Sequence, residues 1–320
     1  MSHFLTFVIG SSDLQMAMAP FHEFESTGID NQYIQDVDIT DEVKAQIAKY
    51  QEEYQDENKA FEEGLDYYGL LERQVESEEK AKLHRNGDYK YGYAITKGGE
   101  LIKAVKRTNP NSKWDWFELG GRWLGFFKPK PGALVSGMRG RPGVFGNKPE
   151  HEGGVDAARV KDIDWEGMRQ AARDEALARY NKVLNAFPDR TIPKLTRSWD
   201  ELRDAHIAMF PGNYDGARDL WHSLPEVKAW NEATKNDDEL RWLTLEQFQV
   251  PLDEYVARAG RNAISPFAIV KDGQWFERGS VGWWGMVSNE QDKDEWSAKF
   301  DELLASLDPE TMIYCVDCHI

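Results

Sequence analysis

His3-Phe4-Leu5-Thr6-Phe7-Val8-Ile9 alternates with a period of two, with His3, Leu5, Phe7 and Ile9 on one face and Phe4, Thr6 and Val8 on the other. That is the pattern of a strand buried on both faces or nearly so. Gly10-Ser11-Ser12-Asp13 ends it. The apolar run is short and lacks a basic n-region, so it reads as a first strand and not as a signal peptide. Residues 312–320 have the same character, with Cys315, Asp317 and His319 on one face and Tyr314, Val316, Cys318 and Ile320 on the other. Strand patterns at both ends and helical patterns between them predict an α+β fold, with an antiparallel or mixed sheet built from both chain ends.

From Thr40 the period becomes helical. Steps of four and three from Val43 reach 43, 47, 50, 54, 57, 61, 64, 68, 71 and 75, and eight of these ten positions are apolar or aromatic. This predicts a long N-terminal helical segment over 40–83, with Gly64 and Gly69 as bends or breaks, packing on the protein's own sheet or on a second copy. A hairpin follows over 89–106, turning at Lys97-Gly98-Gly99-Glu100. Asp164 caps an amphipathic helix with Trp165, Met168, Leu177 and Val183 on its buried side. Several short helices occupy 190–260, with Trp199, Trp221, Trp230 and Trp242 as expected packing anchors. A strand at 267–270, a turn at Lys271-Asp272-Gly273 and a helix around Trp296, Phe300 and Leu304 complete the pattern. The economical division is a core of 1–154 and 262–320, with a helical insertion at 155–261.

Composition narrows the partners. The 320 residues carry 56 acidic and 39 basic side chains, a formal net charge of −17. Such a surface repels phosphate backbones, which argues against generic nucleic-acid binding. No apolar run is long enough for a membrane span. Two cysteines make no disulfide framework, which favours a cytoplasmic location. Twelve tryptophans are the larger anomaly, since indole packs cores and also stacks on bases and cations.

The tryptophans concentrate in Asn109-Pro-Asn-Ser-Lys-Trp-Asp-Trp-Phe-Glu-Leu-Gly-Gly-Arg-Trp123. Here Asn109, Lys113, Trp114, Trp116, Arg122 and Trp123 are candidate ligand-binding residues, and Asp115 is a candidate catalytic carboxylate. If 114–118 is extended, Trp114, Trp116 and Glu118 face one way and Asp115 and Phe117 the other. Gly120-Gly121 permits a bulge that aims Arg122, whose planar fork suits phosphate or carboxylate. The bland alternative is an Asp115–Arg122 ion pair bracing a tryptophan-packed corner.

Cys315-Val316-Asp317-Cys318-His319 resembles a haem-attachment pattern, but its thiols point opposite ways along a strand and cannot grip one metal. Asp317 and His319 share a face, and His3 joins them if the first and last strands are neighbours. A divalent metal site, an acid–base pair and a plain buried hydrogen bond all fit this set. His22-Glu23-Phe24-Glu25 is a loop that could supply a ligand or base. Gly282-Trp283-Trp284-Gly285 places Trp284 as a further stacking candidate, and the glycine-rich stretch 128–154 reads as an irregular loop or lid.

These motifs taken together resemble a family of phage and prophage proteins that also occurs in bacterial genomes. The shared elements stand here as Ala19-Pro20-Phe21, the Asn109–Trp123 motif, Val155-Asp156 through Asp164-Trp165, Gly282 to Gly285, and Val316 to Ile320. His22 departs from the acidic residue expected there. The resemblance implies a phage context in a bacterial cytoplasm and supplies no mechanism. Three functions compete. One is a counter-defence accessory protein that binds a host defence protein or its nucleotide signal. The second is an enzyme acting on a nucleotide or phosphorylated small molecule. The third is an assembly protein, a homo-oligomer joined through the 40–83 helix.

Overall fold

The computed structural model describes residues 3–54, 56–133, 138–143, 152–281 and 286–320. The chain is α+β. It begins with β1 (His3–Ile9), α1 (Leu14–Met18) and α2 (Phe24–Thr27), then β2 (Gln35–Asp38), α3 (Thr40–Glu53), α4 (Glu57–Tyr67), β3 (Gln74–Val75) and α5 (Glu78–Leu83). Next come β4 (Gly92–Lys97), β5 (Glu100–Thr108), β6 (Trp116–Gly121), β7 (Arg141–Pro142) and β8 (Ala157–Arg159). Five helices follow: α6 (Trp165–Ala186), α7 (Trp199–Met209), α8 (Tyr214–Ser223), α9 (Pro225–Thr234) and α10 (Leu252–Asn262). The chain returns to strands with β9 (Ala268–Lys271), β10 (Gln274–Glu277), β11 (Ser280–Val281) and β12 (Val287–Ser288), then α11 (Lys293–Ser306) and β13 (Met312–His319).

Both chain ends meet at the centre of a mixed sheet of order β10-β9-β1-β13-β6-β7. β1 runs antiparallel to β13 and parallel to β9. On its second edge β13 carries two strands end to end, β6 along Val316–His319 and β8 along Met312–Tyr314. The alternation of β1 decides which side chains meet which layer. Leu5, Phe7 and Ile9 join Ile313 and Cys315 under Phe300 and Trp296 of α11 and Met168 of α6. Phe4 and Val8 join Val316 and Cys318 on the opposite face, against Met18, Phe21 and Trp114. Burying a side chain such as Phe7 contributes roughly 1.5–3 kcal/mol, so two-sided burial makes β1 the axis of the core.

The hairpin over 89–106 forms as β4 and β5, but it belongs to a second sheet of order β2-β5-β4-β3. The single sheet expected from both chain ends is therefore divided, with β11 and β12 forming a third, two-stranded piece. The helical segment 40–83 is likewise divided. α3 ends at Tyr54, Asp56 caps α4 through the amides of Asn58 and Lys59, and Gly69 (φ 65°) turns the chain out of α4. The two helices fold back on each other, and a Cβ at Gly64 would lie 2.3 Å from Ile47 Cγ1. Val43, Ile47 and Leu65 pack with Leu101 and Ala104 of β5. The seam that could have joined a second copy is covered by the protein's own second sheet.

The helical region has its own core of Val183, Phe187, Trp230, Leu240, Leu245 and Phe248. Asp164 caps α6 as expected, accepting from the Gly167 amide. Trp230 is the buried anchor of this region, while Trp242 is 76% exposed and Leu177 lies on the open side of α6. Residues 155–159 belong to the main sheet through β8, so the helical region starts later than position 155. Asp272 and Gly273, both at positive φ, make the tight turn between β9 and β10. Among the described residues no helix is long and apolar enough to cross a membrane.

Candidate functional site

Register brings three side chains into one row. His3 of β1 is the cross-strand partner of His319 of β13, which is the partner of Trp116 of β6. Directly paired residues point to the same face, so two imidazoles and an indole stand side by side at one end of the sheet. The rings of His3 and His319 lie 5.0 Å apart at 71°. Trp116 stacks on His319 at 5.2 Å and 16°, and meets His3 edge-on at 5.3 Å.

Each imidazole is held by a carboxylate through Nδ1. His3 Nδ1 is 2.8 Å from Asp317 Oδ1, and His319 Nδ1 is 2.7 Å from Asp115 Oδ1. An ionised carboxylate only accepts, so both Nδ1 atoms carry the proton and both Nε2 atoms are left for other work. Nε2 of His319 is buried and has no hydrogen-bond partner. Such an orphan costs on the order of 1–3 kcal/mol unless a water, an ion or a ligand atom meets it.

The two carboxylates are fixed differently. Asp317 is fully buried, and its Oδ2 accepts the main-chain amide of Arg122 at 2.8 Å. Gly120 (φ 78°) and Gly121 (φ 52°) make that approach possible, because a Cβ on Gly121 would lie 2.4 Å from Asp317 Oδ2. Asp115 also donates its own amide to His319 O at 3.0 Å, so it grips residue 319 by main chain and side chain together. Beneath it, the His22 ring packs on Trp114 at 4.6 Å and Nε2 donates to Asp115 O at 3.2 Å. Burial raises the Glu23 carboxyl above its ordinary range; Glu25 and Asp115 push it the same way, and Lys106 opposes them.

Of the sequence candidates, Asp115, Asp317, His319 and Trp116 therefore converge, and His3 completes the set. The bulge at Gly120-Gly121 is present, but what it aims at Asp317 is the amide of Arg122. Trp114 and Asp115 exchange the faces expected of them. The strand begins only at Trp116, and Trp114 instead bridges His22 and packs edge-on against Phe117 at 4.9 Å. That irregular step turns Asp115 toward His319. Asn109 is structural, its amide donating to the carbonyls of Pro20 and His22. Lys113 pairs with Glu277 at 2.8 Å. Trp123 packs against the core, and its carbonyl accepts from the Cys315 thiol at 3.9 Å. Trp284 and part of the glycine-rich stretch (134–137 and 144–151) lie outside the described residues.

Asp156, read from the sequence only as part of a shared element, has a structural role that no local pattern predicts. Fully buried at the seam between β6 and β8, it accepts the amides of Gly125 (2.5 Å) and Gly140 (2.8 Å), and its carbonyl accepts from Cys315 N. Burial pushes its carboxyl up, against the pull of those amides. Burial also pushes up the thiols of Cys315 and Cys318, which keeps both protonated and removes them as nucleophiles or metal ligands.

No protein-family model, no curated protein and no solved structure matches the chain. The site must therefore be read from its own geometry. The Nε2 atoms of His3 and His319 are the donors a divalent metal would meet, but no group of three or more ligating side chains assembles among the described residues. What the geometry offers is two imidazoles in edge-on contact, each with Nδ1 on a carboxylate.

Proposed function

We propose that the chain is an acid–base catalyst acting on a nucleotide or another phosphorylated small molecule. The observation that carries this reading is the pair of His–Asp dyads, with imidazoles 5.0 Å apart and each Nδ1 on a carboxylate. One Nε2 would take the proton from an attacking hydroxyl or water as its oxygen bonds to phosphorus. The other imidazole, entering protonated, would give its proton to the oxygen that departs. Displacement at phosphorus needs one group that takes a proton and one that gives it, and two adjacent imidazoles supply both. Asp317 and Asp115 act as positioning residues that hold tautomer and ring orientation. Trp116, 43% exposed, offers its open face to a planar group such as a base.

The resemblance to phage and prophage proteins supports a setting for this chemistry, in which the substrate is a host's nucleotide defence signal. A counter-defence role by binding a host defence protein draws on the same resemblance and on the net charge of −17. The test of the catalytic reading is a panel of nucleotides and phosphodiesters incubated with the purified protein and with H3Q and H319Q variants. Product should form with the native chain and fall by about 10²-fold or more in either variant. Equal turnover in all three would sink it.

A further inference from the structure

Between Leu119 and Gly143 the sequence holds five basic residues and no acidic one, in a chain whose net charge is −17. The described end of that run is fastened beside Asp317, the carboxylate that holds His3. Gly140 donates its amide to Asp156, Gly143 donates its amide to Gly121 O at 3.0 Å, and β7 lies parallel to β6 at Gly120 and Gly121. The fit admits no side chain at position 140, where a Cβ would lie 1.7 Å from Leu119 O. A Cβ at Gly143 would stand 3.1 Å from Arg122 N and 3.5 Å from Asp317 Oδ2, so this strap adjoins the His3–Asp317 dyad.

Arg139 and Arg141 ride on the strap. Both are exposed, and neither forms a hydrogen bond or ion pair among the described residues. Elsewhere the exposed arginines are commonly neutralised, as Arg218 is by Asp215 and Arg258 by Glu254 and Asp294. Arg139 acts on the Asp156 carboxylate through its charge alone, and two guanidinium groups outside any ion pair on an otherwise acidic protein draw anions to one place. Their planar forks match phosphate oxygens bidentately.

We infer that the 139–143 strap, with Arg139 and Arg141, is the anion-binding half of this site, and that its ligand is a phosphate or pyrophosphate group. The inference rests on the acid–base reading for its relation to the imidazoles: the strap holds the phosphate, and His3 and His319 move the protons. An anion admitted here is kept off the rest of the surface by like charge.

The experiment is calorimetric titration of inorganic pyrophosphate into the full chain at low ionic strength. The native protein should bind it, and the R139Q/R141Q variant should bind at least about tenfold more weakly with an unchanged melting temperature, both side chains being exposed. An R139K/R141K variant, which keeps the charge and loses the fork, should recover only part of that affinity. Absence of binding by the native protein, equal binding by R139Q/R141Q, or full recovery by R139K/R141K would each overturn the assignment. H3Q and H319Q should bind pyrophosphate within about threefold of the native chain, since the forks and not the imidazoles hold the anion. Failure of the acid–base reading looks different: turnover unaffected by H3Q and H319Q, with pyrophosphate binding still dependent on the two arginines.

Discussion

Gly121 and Asp317 occupy space that no larger residue at position 121 could share, since a Cβ there would lie 2.4 Å from the carboxylate that orients His3. At φ 52° an alanine would also adopt a left-handed conformation. Gly121→Ala should therefore cost about 2–4 kcal/mol, combining left-handed strain with overpacking. Gly132→Ala is the control, with φ 79° and no atom within 4 Å of its Cβ, and should cost only about 1–2 kcal/mol. Urea unfolding of the two variants checks the difference, and equal losses would show that the close approach is not as drawn.

Asp115→Asn keeps the main-chain bond to His319 but replaces the carboxylate on Nδ1 with a neutral group. The ring keeps its place, while the tautomer and the imidazolium lose their support. Turnover should fall by about 10²–10⁴-fold with little change in unfolding free energy. Nitrogen-15 spectra of the His319 ring would report the tautomer directly. A ring still protonated at Nδ1 in the variant would contradict the role given to Asp115.

Glu23 gives the site a pH dependence with a definite sign. Its carboxyl is raised from the ordinary value of 4.5, chiefly by burial. Between 4.5 and the raised value the folded chain binds more protons than the unfolded one, so stability falls as pH rises through that window. The cost is absent below it and complete above it. Glu23→Gln should leave stability at pH 4 nearly unchanged and raise it at pH 7. Solvent screening keeps the gain small, on the order of 0.5 kcal/mol. Unfolding curves at the two pH values decide it; a gain confined to pH 4 would reverse the assignment.

Phe7 is fully buried between Phe127 at 5.1 Å and Phe300 at 5.7 Å. Phe7→Ala should destabilise the chain by about 3–5 kcal/mol. Exposed Phe276 lies on the adjoining hairpin, and Phe276→Ala should cost far less, within about 1 kcal/mol. Chemical denaturation of the pair measures the contrast.

Strand parity made much of this legible. The alternation of His3 to Ile9 and of residues 314–320 fixes which side chains share a face, and it brings Asp317, His319 and His3 together once the two strands are adjacent. Asp115 was legible as chemistry but not as geometry. Its orientation depends on an irregular step at Trp114, set by the bridge to His22, which no local pattern encodes. The helical segment misled by its own regularity, because a seam that folds back between Tyr54 and Asp56 and one that runs straight have the same spacing. Asp156 was silent for a related reason. A lone aspartate after valine carries no sign that distant glycine amides will converge on it.

β1 is flanked in the sheet only by β9 and β13, both drawn from residues beyond 267. During vectorial synthesis at the ribosome it therefore emerges long before either partner and waits, its edges unsatisfied, while the second sheet and the helical region can already assemble from neighbouring sequence. Pairings of such long sequence separation form slowly and leave an apolar strand exposed to aggregation in the interval. The same arrangement makes activity a report on completed folding. No nascent fragment that stops short of β13 can hold His3 and His319 side by side.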